Sequence, residues 1–223
     1  MRLTGRHGIV GEAATLVSGN VAAQLIALLA YLVLTRLFIP ADFALFNIFY
    51  SYIEVLIILS TCKYELAIVV ADDGEEAAAM ARFTLKMNAV VSLLLLAVVS
   101  MLYFSRSLPG DTSQLGLIAL LIPPMVFFSG TSRVYTALFN RLHRYRLIAS
   151  STTINAASGS LLKILFGWLG MNSAGMPLGT VLGQGIANLL YRYRLHWQPL
   201  PATTKGQELA AARRHRNFPF YVA

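Results

Sequence analysis

Cysteine is almost absent from this chain. The single Cys62 has no partner for a disulfide within the chain, and it leaves the redox compartment undefined. Charge is scarce too: Asp, Glu, Lys and Arg make up 13% of the residues, where a soluble domain carries roughly 25%. Acidic residues are the scarcer sign, 10 against 18 basic. The chain has no Walker-type glycine loop, no paired metal-ligand spacing and no nucleophile elbow. Its histidines, His7, His143, His196 and His215, all fall in basic or terminal segments. These absences exclude the common soluble catalytic frameworks. They lead us to expect no enzyme, no metal and no cofactor.

What is there is apolar. Hydrophobic residues form 57% of 223, and mean hydropathy is +0.63. Disorder needs low hydrophobicity and is excluded. A soluble fold this apolar would expose large sticky patches. That argues against a nucleic-acid-binding domain, despite a net charge of +8 and a pI near 9.9. The solvent of most of this chain is therefore lipid.

A membrane span takes about 20 apolar residues. Six such stretches are legible, at residues 14–34, 43–61, 85–104, 115–138, 147–169 and 174–190. The first runs too long for a cleaved leader and is read as a retained span. Within a bilayer only helices and closed barrels satisfy the backbone, and these stretches lack period-2 alternation. The expected fold is all-α: a polytopic transmembrane helix bundle, one six-helix lobe.

Basic residues orient it. All but four of the 18 lie in the termini, in the even-numbered connections or, for Lys86, at the edge of the third span next to the second connection. The exceptions are Arg36 and Arg106 in odd-numbered connections, and Arg133 and Lys163 inside spans. Both ends are thus expected in the cytoplasm. The net charge serves as an orientation signal and an attraction to anionic inner-leaflet lipid.

Three ionisable groups sit where lipid penalises them by about 2.5–3.5 kcal/mol: Glu54, Arg133 and Lys163. Each either faces an internal cavity or forms a register-setting salt bridge, and the two cations can also snorkel. Polar groups cluster at Ser18, Asn20 and Gln24 in the first span, and along residues 150–160, Asn155 among them, in the fifth. Gln184 and Asn188 lie one turn apart in the sixth, on one face. A hydrated cavity explains this density better than isolated interhelical bonds, each worth about 0.6 kcal/mol. Gly175, Gly179 and Gly183, and Gly19, Ala23 and Ala27, recur at spacing four and read as close-packing stripes. Pro123–Pro124 is expected to kink or unwind the fourth span. The acidic run Asp72 to Glu76 reads as an exposed loop or helix N-terminus.

Specific stretches resemble a known family. Leu34-Thr35-Arg36-Leu37, Phe38, Pro40, Asp42 and Phe43 are similar to the first hairpin of bacterial oligosaccharide flippases. So are Lys63, Tyr64, Glu65, Ala67 and Ile68. These flippases serve lipopolysaccharide O-antigen and capsule assembly, within the multidrug/oligosaccharidyl-lipid/polysaccharide exporter superfamily. Residues 178–190 resemble the family's sixth helix, and Asn217-Phe218-Pro219 the approach to its seventh. Ala44 and Ala71 depart from the pattern, where Gly and Pro are common.

The resemblance implies a six-helix lobe at 1–190, a cytoplasmic basic linker at 191–217, and the start of a truncated seventh helix at 218–223. The chain is then expected to be an N-terminal fragment of a two-lobe protein. The implied activity is flipping an undecaprenyl-pyrophosphate-linked oligosaccharide across the bacterial inner membrane, by alternating access around a polar, often cationic cavity. The lipid bilayer and other polysaccharide-assembly proteins are the implied partners, with no nucleic acid. Arg133 and Lys163 would bind the anionic substrate, helped by Asn20, Gln24, Asn155, Gln184 and Asn188, while Glu54 would hold a cation or carry a coupling proton. Two other readings stay open: a drug or metabolite antiporter of the same superfamily, and a non-transporting assembly protein. An intramembrane glycosyltransferase would want a larger catalytic loop.

Overall fold

The computed structural model describes residues 6–105, 115–196 and 205–214, all helices and turns. Eight α-helices follow in order: α1 Arg6–Leu37, α2 Pro40–Thr61, α3 Tyr64–Val70, α4 Gly74–Phe104, α5 Ile122–Arg141, α6 Tyr145–Trp168, α7 Asn172–His196 and α8 Lys205–Arg214. A 3-10 helix, Gly116–Leu121, leads into α5. The bundle is all-α, as expected. Four segments are long and apolar enough to cross a bilayer: Ala14–Leu37, Pro40–Thr61, Gly74–Phe104 and Gly116–Arg141. Helices α6 and α7 are 24 and 25 residues long but too polar to qualify by composition. The expected six spans thus appear as six long helices, four of them of membrane-spanning composition.

The connections are tighter than hydropathy suggests. Only Phe38 and Ile39 separate α1 from α2. Pro40 does not break a helix here but starts one, at a position whose N–H has no intrahelical partner anyway. Buried Asp42 accepts a hydrogen bond from the Ile39 N–H at 3.1 Å and so caps the new helix. Likewise, Pro123 and Pro124 sit in the first turn of α5, not across its middle. The expected irregularity is the junction between the 3-10 turn and α5, where the chain changes helix type without a mid-helix kink. The acidic run is a helix N-terminus. Asp73 accepts from the Glu76 N–H at 2.6 Å, and Glu76 accepts from the Asp72 N–H at 2.9 Å. At its far end α7 runs on through His196, past the expected boundary at residue 190. The expected seventh-helix start at 218–223 lies outside the described residues, as do Arg106 and residues 197–204 and 215–217 of the expected linker.

The long helices sort into two trios. In one, α6 packs against both α1 and α7; in the other, α5 packs against α2 and α4. Contacts of α7 with α2 and α5 join them. The second trio has a core of large side chains. Phe49, Ile53 and Ile57, one turn apart on α2, meet Ile122, Met125 and Val126 of α5 and Val181 of α7. The first trio is built on close approach. A Cβ at Gly183 of α7 would fall 2.5 Å from the Gly159 Cα of α6, and one at Gly179 would fall 2.7 Å from the Lys163 backbone N. The α7 glycine stripe is therefore a packing device, as its spacing suggested. On α1, Gly19 abuts Ala149, but the buried row then runs through Ala23, Ala30 and Leu34. Ala27 is exposed. A step of four drifts about 40° around a helix of 3.6 residues per turn, so the contact line follows alternating fours and threes instead.

Helix α4 has 31 residues. At 1.5 Å each it is about 46 Å long, against roughly 30 Å of hydrocarbon. Its first turns are therefore surplus to a span. Ala77 to Ala81 are all buried there, packed with Ala67 and Ile68 of α3, Val134 and Leu138 of α5 and Ala211 of α8. Arg141 ties this end together. Its guanidinium donates to the carbonyls of Ile68, Val69, Ala71 and Asp73, the shortest at 2.6 Å, satisfying the C-terminal carbonyls of α3. Helix α8 is pinned on α4 by Lys86 to buried Glu208 at 2.6 Å and by Arg214 to Glu76 at 3.3 Å, and Arg214 also pairs with Asp72, just before α4, at 2.9 Å.

Candidate functional site

Where the two trios meet, the bundle holds an open cavity of about 520 Å³. Tyr50, Glu54 and Ile57 of α2 form one wall, and Glu65, Leu66 and Val69 of α3 form one end. Helix α5 presents Ser129, Ser132, Arg133, Thr136 and Asn140. Opposite stand Ser151, Thr152 and Asn155 of α6, with Gln184 and Tyr191 of α7. These positions recur every three or four residues on α5, α6 and α7, so each helix turns one polar stripe inward.

At the centre Arg133 donates to Glu54 at 3.2 Å, across 79 residues of sequence. The pair is open, with side chains 36% and 48% exposed. Tyr50, one turn before Glu54, lines the same wall. Asn155 donates to the Gln184 side-chain carbonyl at 2.8 Å. The hydroxyls of Thr136 and Tyr191 lie 3.3 Å apart. The cavity therefore offers one cation, several hydroxyls and amides, and aromatic rings at Tyr50 and Tyr191.

Four of the eight residues singled out in the sequence come together here: Glu54, Arg133, Asn155 and Gln184. Four do not. Lys163 lies with its ammonium 5.0 Å from the Phe46 ring centroid, outside the cavity. The aromatic ring holds the charge that a cavity was expected to hold. Asn188 donates to the Phe128 carbonyl at 2.6 Å and faces away from Gln184. Four residues drift about 40° around the helix, enough to carry Asn188 from the cavity lining to the α5 contact beside it. Asn20 and Gln24 are exposed on α1, a helix with no residue in the described cavity lining.

The polar run of α6 also divides. Ser151, Thr152 and Asn155 face the cavity, whereas Thr153 donates to the Gly19 carbonyl at 3.2 Å and Ser158 reaches the Gly183 carbonyl at 3.4 Å. Half of that density is stitching between helices.

Glu65 went unread as a cavity group. It is 6% exposed, lines the cavity, and its Oε2 has no hydrogen-bond partner among the described residues. Its only sequence signal was its place in the Lys63-Tyr64-Glu65 block. With Glu65 the described lining carries two carboxylates and one guanidinium. Lys163 lies outside this lining, and Glu65 is a second acid within it.

A family model described as polysaccharide biosynthesis protein matches residues 9–214, nearly the whole chain. The chain belongs to the polysaccharide biosynthesis protein family. No curated protein and no solved structure matches it. Family membership and the four apolar helices together make this a multi-pass membrane protein of polysaccharide biosynthesis.

Proposed function

We propose that this family member is an exporter rather than an enzyme, and that it moves a lipid-linked oligosaccharide for O-antigen or capsule assembly across the bacterial inner membrane. The observation that carries this reading is the Glu54–Arg133 pair in a cavity walled by hydroxyls and amides. An ion pair this open contributes about 0–1 kcal/mol, so it opens at little cost. Arg133 is then free to take a phosphate oxygen of an undecaprenyl-pyrophosphate carrier, for which a planar guanidinium suits bidentate binding. Glu54 holds Arg133 in place while the site is empty. The surrounding amides and hydroxyls suit sugar. The test is glycan export in cells that depend on this protein. Arg133→Ala should cut export at least tenfold with near-normal protein in the membrane, and Arg133→Lys should restore part of it. Undiminished export by Arg133→Ala would sink the reading.

The two carboxylates favour one competing reading, export of a cationic drug or metabolite. It predicts that Glu65→Gln abolishes drug resistance conferred by the protein and leaves surface glycan intact.

The orientation we propose follows the basic residues, with α3 and α8 on the cytoplasmic side. In a Cys62→Ser background, a cysteine at exposed Asn172 should react with an impermeant thiol reagent in intact cells, and one at exposed Glu75 should not. The opposite labelling would reverse the topology.

A further inference from the structure

Helices α5 and α7 form a wall with two unlike faces. Thr136, Gln184 and Tyr191 look into the polar cavity. The reverse face opens a second cavity of about 370 Å³, lined chiefly by Phe127, Phe128, Leu182, Ile186 and Leu189. Leu182, Ile186 and Leu189 are exposed, at 45%, 42% and 66%. Gly185 forms the floor: a Cβ there would meet only the Phe128 ring, at 3.6 Å. No side chain of α7 fills the groove at that level. The groove is mainly apolar: the Asn188 amide N–H donates to the Phe128 carbonyl and Thr131 accepts from Asn88, leaving the buried Asn188 Oδ1 as a polar atom without a partner among the described residues.

One end of the groove differs. Arg192, exposed, is the one Lys, Arg, Asp or Glu in its described lining, and Tyr135 lines the groove with it. Arg192 follows Asn188 by one turn, so it caps the groove along the α7 axis. This is the same end of the bundle that carries the α5–α6 turn with Arg144 and exposed Arg146, and the continuation of α7 with exposed Arg194. An apolar trough a few turns long with a lone guanidinium at the basic end has the shape and charge of an amphiphile with an anionic head. Three exposed apolar side chains and a glycine floor take the chain; Arg192 takes the phosphate. Basic pockets between transmembrane helices recognise lipid head groups by the same combination.

We propose that the α5–α7 groove is a binding site for an anionic phospholipid, its acyl chain against Gly185 and its phosphate on Arg192. The site is separate from the polar cavity and does not depend on what that cavity carries.

The test is native mass spectrometry of the full chain released from micelles containing phosphatidylglycerol or phosphatidylcholine. The wild type should retain a phosphatidylglycerol adduct at least tenfold more than a phosphatidylcholine one. R192Q should abolish that preference, while R146Q, a control at the same end outside the groove, keeps it. Gly185→Leu should fill the trough and lose both lipids, with unchanged circular dichroism showing that the bundle is intact. Three results would overturn the proposal: equal retention of the two lipids by the wild type, equal loss in R192Q and R146Q, or a lipid-free dimer whose interface is this groove. Because R192Q alters an exposed side chain, its folding is not in question.

Discussion

The two trios solve one problem in different ways. In α2, α4 and α5, large side chains interdigitate, and Phe49, Ile53 and Val126 have 0% exposure. In α1, α6 and α7, backbones touch through Gly19, Gly159, Gly179 and Gly183, and hydroxyls bond across helices. Lipid tails are as apolar as leucine, so burial against a neighbour gains no transfer energy in either trio. What remains is packing and hydrogen bonding. The first trio gains packing through bulk. The second gains it through proximity, and proximity leaves polar side chains free to line the cavity. That explains why the helices too polar to pass as spans by composition, α6 and α7, are the ones that supply Ser151, Asn155 and Gln184 to the site. Most of α1 faces outward instead, with Val17, Leu25, Leu28, Leu29 and Leu32 all more than half exposed.

The comparison can be broken by substitution, beginning with the largest effect. Phe49→Ala should destabilise the bundle by about 3–5 kcal/mol, the cost of an unfilled aromatic cavity; unfolding in detergent followed by circular dichroism would measure it. Gly183→Leu should cost about 1–3 kcal/mol by overpacking and should also push α6 and α7 apart, weakening crosslinking between cysteines placed on them. If Gly183→Leu proved harmless, the second trio would not rest on backbone approach. The smallest effect belongs to the seam. Arg133→Ala should shift stability by no more than about 1 kcal/mol, so a large loss there would mark the Glu54 pair as a structural joint rather than part of a site.

Much of the site was legible because the bilayer makes polar groups conspicuous. Glu54 and Arg133 stood out as costly, and no soluble fold would have singled them out. Lys163 stood out equally, yet it is held by Phe46. Expense in lipid flags a residue but does not say whether water, a carboxylate or an aromatic ring relieves it. Glu65 was overlooked for the converse reason. It lies in a turn-flanked segment where a carboxylate is ordinary, and only the packing of α3 on α4 and α5 buries it. The helix boundaries near Pro40 and Pro123 were misplaced because hydropathy marks the edge of the apolar stretch, whereas capping bonds mark the edge of the helix.

The sequence by itself determined that this protein is a bundle of long apolar helices in a membrane, because low charge and unbroken hydrophobic stretches admit no other backbone solution. It also determined which helices approach closely, since glycine at a repeat of four is a local property of one face. Tertiary structure alone decided which polar groups share a cavity. Glu54 and Arg133 are 79 residues apart, and Gln184 and Asn188 only four, yet the distant pair meets while the near pair takes different partners, Asn155 in the cavity and the Phe128 carbonyl outside it. Facing is set by the rotation of each helix against its neighbours, and that rotation is fixed by packing across the bundle, which no single stretch of sequence contains.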